Sequence, residues 1–312
     1  MSMTVIGKDG AWPQEGGTTL LSFRDAVEWA DFNEGKDLAI LIGDPHCGPL
    51  IEATSRSPEP EEPFRAPAHG HPSDNWRITL KGTTNMGRSA YTDGQFRFQD
   101  GGVPYAGDNL AWGPDGGFGI IVFADRRGSP IRFVDPDHEF QAGADEGAQM
   151  FADKYGFELR DPCPGAIRTT IGETSWGRME GDFSESDQWP ESVPGVRVLT
   201  ALCGDVAAGP VLVLLQCEPG KPAHSAGTLQ TEVFHSVVDG SCVVEGSIMK
   251  LGDAWLTGPG DQSEVVAGPD GLSQLVVFGD RRAFKHFEPS TDGFGRDLAL
   301  SIVRAADELS IA

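Results

Sequence analysis

The chain repeats itself, and that restricts its fold more than any other feature. Gly113 to Arg127 reads Gly-Pro-Asp-Gly-Gly-Phe-Gly-Ile-Ile-Val-Phe-Ala-Asp-Arg-Arg, and Gly268 to Arg282 reads Gly-Pro-Asp-Gly-Leu-Ser-Gln-Leu-Val-Val-Phe-Gly-Asp-Arg-Arg. Nine of the fifteen positions are identical, at a constant offset of 155. Upstream, Pro67-Ala68-His69 matches Pro222-Ala223-His224 at the same offset. Gly43-Asp44 and Gly48-Pro49 match Gly204-Asp205 and Gly209-Pro210 at an offset of 161, the difference being a longer loop in the first copy around Ser57 to Pro63. Three collinear blocks mean two homologous domains, and 312 residues accommodate two domains of about 150 each. The expected division is a domain over 1–135, a linker with a helix over 136–165, and a domain with a terminal helix over 166–312.

Each copy reads as all-β. The chain holds 41 Gly and 22 Pro, about one residue in five, which points to many tight turns between short strands. Leu38 to Ile42 is an apolar run stopped by Gly43. Trp76-Arg77-Ile78-Thr79-Leu80 and Phe96-Arg97-Phe98-Gln99 alternate apolar and polar, the period of a strand with two different faces. Ile120 to Phe123 and Leu275 to Phe278 are β-branched-rich runs that follow a Gly-Pro-Asp-Gly turn signal. Helices are expected only at the margins, over 24–32, 137–155 and 297–309. Residues 160–189 read as linker plus the first strand or arm of the second domain.

Charge and cysteine content exclude several classes of function. Lys and Arg number 24 against 47 Asp and Glu, a net charge of −23. Such a surface repels phosphate backbones and anionic membranes and favours solubility, so neither nucleic acid nor membrane is an expected partner. The five cysteines form no C-x-x-C pair, which argues against a disulfide framework or a thiolate zinc site. No secretory signal and no membrane-spanning apolar run is visible, and the expected compartment is the cytoplasm. No nucleophile elbow, Walker loop, dinucleotide fingerprint or H-E-x-x-H is present.

His69-Gly70-His71, three residues, Asn75, six residues and Gly82 follow the spacing of the first cupin motif, G-x5-H-x-H-x3/4-E-x6-G. With the repeat, the chain resembles the cupin superfamily over roughly residues 38–127 and 198–282. Asn75 stands where cupins usually carry a metal-ligating Glu, and the leading Gly is absent. In the second copy Thr231 to Gly240 is similar to the same motif, and Gly252-Asp253 with Pro259 to Ser263 is similar to the second motif, with Ser263 in place of its usual His. The position matching Ser263 in the first copy is Asp108. The resemblance implies a bicupin: two tandem jelly-roll (double-stranded β-helix) barrels with a few peripheral helices, in a fold family where homodimers are common.

Imidazoles at i and i+2 of a strand share a face, so His69 and His71 can converge on one cation. A carboxylate from a facing strand, Asp108, would complete a two-His-one-carboxylate set suited to Fe, Mn, Ni or Zn. Asn75 could ligate through its amide oxygen or hold a bound water. If Asn75 points inward, so do Arg77 and Thr79, while Trp76, Ile78 and Leu80 point outward. An inward Arg77 could clamp a substrate carboxylate or pair with an acidic side chain at the barrel mouth, and Arg97 and Gln99 are placed similarly. Tyr105 could supply a phenol as ligand or proton donor. In the second copy Val233 replaces Asn75, His235 replaces Arg77 and nothing matches His71, so that barrel is expected to be structural or to hold a mostly apolar pocket, with His235 a hydrogen-bonded core or pocket residue. The duplicated Asp-Arg-Arg reads as a structural ion pair or domain contact. Three functions follow: a metal-dependent dioxygenase or isomerase acting on a small, carboxylated organic molecule, a metal-free barrel that binds or senses such a molecule, or a largely structural or storage-like bicupin.

Overall fold

The computed structural model describes residues 3–6, 17–22, 36–56, 67–105, 112–161, 167–224, 227–260, 265–286, 288–289 and 293–311. The expected helix over 24–32 and residues Asp108, Cys163 and Ser263 lie outside them. The first half contributes β1 (Met3–Ile6), β2 (Thr18–Ser22), β3 (Lys36–Leu41), β4 (Leu50–Arg56), β5 (His69–Gly70), β6 (Asn75–Met86), β7 (Ser89–Tyr91), β8 (Gln95–Gln99), β9 (Trp112–Phe123), β10 (Arg132–Phe133) and helix α1 (Gln141–Tyr155). The second contributes β11 (Arg168–Thr169), β12 (Gly172–Glu173), β13 (Arg178–Asp182), β14 (Glu191–Val193), β15 (Val196–Leu202), β16 (Val211–Cys217), β17 (Pro222–His224), β18 (Gly227–Thr228), β19 (Val233–Val244), β20 (Ser247–Lys250), β21 (Asp253–Thr257), β22 (Val265–Phe278), β23 (Glu288–Pro289) and helix α2 (Gly293–Ile311). The chain is therefore all-β, and two of the three expected marginal helices, over 137–155 and 297–309, are observed as α1 and α2.

An eight-stranded sheet runs in the order β1-β3-β4-β9-β6-β8-β13, with β7 on β6, and an eleven-stranded sheet carries β12-β11-β15-β16-β22-β19-β21-β2 as its main path. The two sheets exchange a strand. β2 pairs antiparallel with β21, from Thr18 opposite Thr257 to Ser22 opposite Asp253. β13 pairs antiparallel with β8, from Arg178 opposite Gln99 to Asp182 opposite Gln95. The arm expected to open the second domain thus lies on the first sheet. Strand partnership is a long-range contact, and nothing local in 178–182 names its partner.

Alternation along β6 sorts its side chains as expected. Trp76, Ile78 and Leu80 join Phe96, Phe98, Ile120 and Val122 in one apolar layer that also contains Leu212, Leu214, Phe234, Leu256, Leu275 and Val277 of the second sheet. The outward faces of the two sheets are therefore the packed interface between the halves. The interior of the second half is a separate apolar core around Val198, Val213, Val237, Trp255 and Val276, closed by Leu298 and Ile302 of α2. In the first half, α1 brings Ala152 and Tyr155 against Ala39, Leu41, Leu50 and Phe123.

The Gly-Pro-Asp-Gly segments differ from expectation. They do not end a strand but lie inside β9 and β22, where the register with β6 and β19 shifts. A Cβ on Gly82 would stand 2.3 Å from the Gly116 carbonyl oxygen, and one on Gly240 the same distance from that of Gly271. Paired glycines at a bulge let the two backbones approach, which explains why a turn-like sequence sits in a continuous strand.

The duplicated Asp-Arg-Arg is structural in both halves. Arg126 donates through Nε to the Gly48 carbonyl (3.0 Å) and through Nη2 to that of Ile42 (2.5 Å). Arg281 makes the same bonds to Gly209 (3.0 Å) and Cys203 (2.5 Å). Arg127 pairs with Asp125, and Arg282 with Asp280 and, across the halves, with Asp44. The corners so braced dock on the opposite half: Gly43 N donates to Glu232 Oε2 (3.1 Å) and Gly204 N to Asp74 Oδ2 (2.9 Å).

Candidate functional site

The site lies in the first half, at one end of β6. β5 is held on both sides by backbone: Phe133 of β10 pairs with His69, and Tyr105 pairs with His69 on the other edge through reciprocal N–H···O bonds of 3.1 and 2.9 Å. That bridge fixes the Tyr105 phenol beside the histidines. The His69 Nδ1–H donates to the Pro67 carbonyl (2.7 Å) and the His71 Nδ1–H to the Ser129 carbonyl (2.7 Å). A carbonyl only accepts, so both rings carry their proton on Nδ1 and present an Nε2 lone pair. Both lone pairs face the same atom. Tyr105 Oη is 2.6 Å from His69 Nε2 and 3.4 Å from His71 Nε2.

The phenol has one proton to donate, and the shorter contact claims it for His69. The His71 Nε2 lone pair is left facing a phenol oxygen. Burial, the Arg77 charge and His69 push the His71 imidazolium well below the usual histidine range, and burial lowers His69 too, so both rings are neutral near pH 7. Phe123 packs 4.8 Å from the His71 ring. The Arg77 guanidinium carbon lies 4.7 Å over the Tyr105 ring, a cation–π contact.

The sequence-selected residues are thus largely brought together. His69, His71, Tyr105 and Arg77 form one contact group. Asn75 lies on the inward face of β6 with Arg77; its amide nitrogen donates to the Ser73 carbonyl (3.3 Å), and its Oδ1 is buried without a partner. Asp108 lies outside the described residues. Periodicity could not supply Tyr91 and Glu180, which are bonded Oη to Oε1 at 2.7 Å. Glu180 comes from the exchanged β13, directly opposite Arg97. Burial, then Glu180, raises the Tyr91 phenol.

The donor set suits a cation. Two neutral imidazoles with carbonyl-anchored Nδ1 atoms are the arrangement in which backbone groups orient metal-binding histidines, and the orphaned Asn75 oxygen is a further neutral donor. Among the described residues no three His, Cys, Asp or Glu side chains form a metal-binding group, so a third protein donor from them would be Tyr105 or Asn75. A cavity of about 410 Å³ opens beside His71, lined by Gly70, Pro104, Arg132, Phe133 and Val134 among others. That volume suits a small organic molecule.

The second half differs at the same places. His235 stacks on Trp255 at 4.7 Å and 3° between planes, and Gln274 and Thr257 approach its nitrogens at 3.1 and 3.4 Å. It is a satisfied interior residue, as expected.

Solved structures resemble about nine-tenths of the chain. A proposed dioxygenase from Nostoc punctiforme matches at 11% identity and a TM-score of 0.54, covering 91% of this chain and 90% of that one. A variant of the salicylate 1,2-dioxygenase of Pseudoaminobacter salicylatoxidans matches at 11% identity and a TM-score of 0.50, covering 90% of each. The chain has a cupin fold. Its metal motif is degenerate within that fold, with Asn75 at the carboxylate position. No protein-family model and no curated protein matches the sequence. Among the described residues no helix is long and apolar enough to cross a membrane.

Proposed function

We propose that the N-terminal cupin barrel binds and transforms a small carboxylated organic molecule, with a divalent Fe, Mn, Ni or Zn ion held by His69 and His71 and joined by Asn75, Tyr105 or Asp108. The observation that carries this reading is the convergence of two carbonyl-anchored imidazole lone pairs on one phenol oxygen. A bound ion would supply Lewis-acid polarisation and open coordination positions. The chain's own residues do the rest. Arg77 orients a carboxylate in bidentate fashion beside the histidines. Without the ion the Tyr105 hydroxyl donates to His69 Nε2; with Nε2 engaged by an ion, that hydroxyl would be released to give its proton to a ligand oxygen. The reaction is of the dioxygenase or isomerase type. The division into a site-bearing domain (1–135) and a supporting domain (166–312) belongs to the same proposal. A metal-free binding or sensing barrel is the second reading, favoured by Asn75 in place of a carboxylate.

Elemental analysis of protein purified without added metal separates the two. Stoichiometric metal in the wild type, lost in His69→Ala/His71→Ala, supports the metal site. Substoichiometric metal in both proteins overturns it in favour of metal-free binding.

A further inference from the structure

We propose that Arg77 and Arg97 together form a recognition site for a small hydroxylated dicarboxylate, in the interior of the first barrel beside the histidine–tyrosine cluster. This deepens the functional reading above and rests on it for location only. The two arginines are directly opposite each other on β6 and β8. Their exposures are 9% and 3%, and the Nε of each is buried without a hydrogen-bond partner. Among the described residues neither forms a salt bridge within 4.0 Å, although acidic residues outnumber basic ones by 47 to 24.

Other arginines of the chain show what a satisfied guanidinium looks like here. Arg126 and Arg281 are saturated by carbonyls, and Arg127 and Arg282 by aspartates. Like charges facing each other across a sheet are destabilising, and a buried unpaired charge more so. Glu180 of β13 stands opposite Arg97, but it is exposed, forms no salt bridge with Arg97 within 4.0 Å and is already engaged by Tyr91 Oη (2.7 Å) and Arg178 (3.9 Å). The facing arginines keep an excess of positive charge that calls for carboxylates from outside the fold. Two residues along, on the same face, Asn75 stands opposite Gln99. Asn75 Oδ1 and Gln99 Oε1 are both buried without partners. These are acceptors, and they call for a donor on the same ligand, such as a hydroxyl.

The second half is an internal control. Its equivalent facing pairs are His235 with Trp255 and Val233 with Thr257. Both cations and both amide acceptors have been replaced, and His235 is satisfied by Gln274, Thr257 and the indole face. Gln274 Oε1 and Trp255 Nε1 are buried without hydrogen-bond partners there too, so what sets the first half apart is its facing pair of guanidinium charges.

The test is calorimetric titration and thermal melting of the full chain with malate, malonate and succinate against lactate and acetate, at matched ionic strength. The expected result is that malate binds at least ~10-fold more tightly than lactate and raises the melting temperature. Arg97→Met abolishes the malate-dependent rise, while its ligand-free melting temperature equals or exceeds that of the wild type. Arg97→Lys, which keeps the charge and loses the fork, weakens malate by ~10-fold and serves if the Met variant fails to fold. His69→Ala retains malate binding, so loss of the metal site leaves this result standing. Equal affinity for mono- and dicarboxylates, no response to any dicarboxylate, or undiminished binding in the Arg97 variants overturns the proposal.

Discussion

Replacing Arg281 by Met tests the claim that the repeated Asp-Arg-Arg is a brace rather than a catalytic device. Arg281 Nε donates to the Gly209 carbonyl at 3.0 Å and Nη2 to the Cys203 carbonyl at 2.5 Å; longer approaches to Val206 and Pro210, at 3.5 and 3.3 Å, add little. Each short bond has a charged donor, and such bonds contribute about 1.5–3 kcal/mol. Losing both removes roughly 3–6 kcal/mol and strands two carbonyls in a braced corner. Removing a largely buried cation from that corner offsets part of it, leaving a net loss of ~3 kcal/mol. At about 2–4 °C per kcal/mol this is a fall of ~6–12 °C in melting temperature. Arg126→Met should do the same, because its two short bonds have identical lengths. Burial lowers the Arg126 guanidinium to about 10, which leaves it charged at neutral pH. Differential scanning calorimetry of both variants is the assay. A melting temperature within ~2 °C of the wild type for either would show that the carbonyl cage is not what holds the corner.

Three further predictions concern the join between the halves and its surroundings. Gly43→Ala places a Cβ 2.0 Å from the Gly279 carbonyl oxygen at a φ of +69°, whereas Gly204→Ala meets the Ala124 Cβ at 2.9 Å; the first should cost more, about 2–4 kcal/mol by denaturant titration. Burial raises the Asp74 carboxyl, so the native state holds its proton above the unfolded value near about pH 4; its contribution to stability should fall as pH rises through that window, and Asp74→Asn should flatten the slope of melting temperature against pH. Burial pushes the Cys217 and Cys242 thiols up to about 12, so iodoacetamide at neutral pH should modify them only in denaturant, and native modification of Cys217 seen by mass spectrometry would contradict the packing described.

Much of this structure could be read in the sequence because the decisive signals are local. Alternation along Trp76 to Leu80 sorted the faces of β6 correctly, since one strand carries its own two-residue period. His69 and His71 were legible for the same reason; Tyr105 was marked only by standing three residues before Asp108, and the long-range bridge to His69 is what brings it to the histidines. What lay hidden depends on pairing at a distance. Nothing in Arg178 to Asp182 announces β8 as a partner, so Glu180 could not be placed opposite Arg97. Gly-Pro-Asp-Gly reads as a turn, and only the close approach of Gly82 to Gly116 shows it to be a bulge within a long strand. Arg97 was seen to alternate inward, but its meaning needed the register that sets it against Arg77.

The reciprocal placement of β2 and β13 has a consequence for how such a chain can change over time. Each half completes the other's sheet, so the pair is an intertwined dimer with its two members tied into one polypeptide. Tethering fixes the stoichiometry at one to one and makes the association independent of dilution. Once that is secured, the copies need no longer be alike. One carries His235 and Val233 in a largely apolar interior, while its sibling keeps Arg77, Asn75 and a second His, buried polar and charged groups that would be a liability without support. The asymmetry between the two interiors is the division of labour that tethering permits.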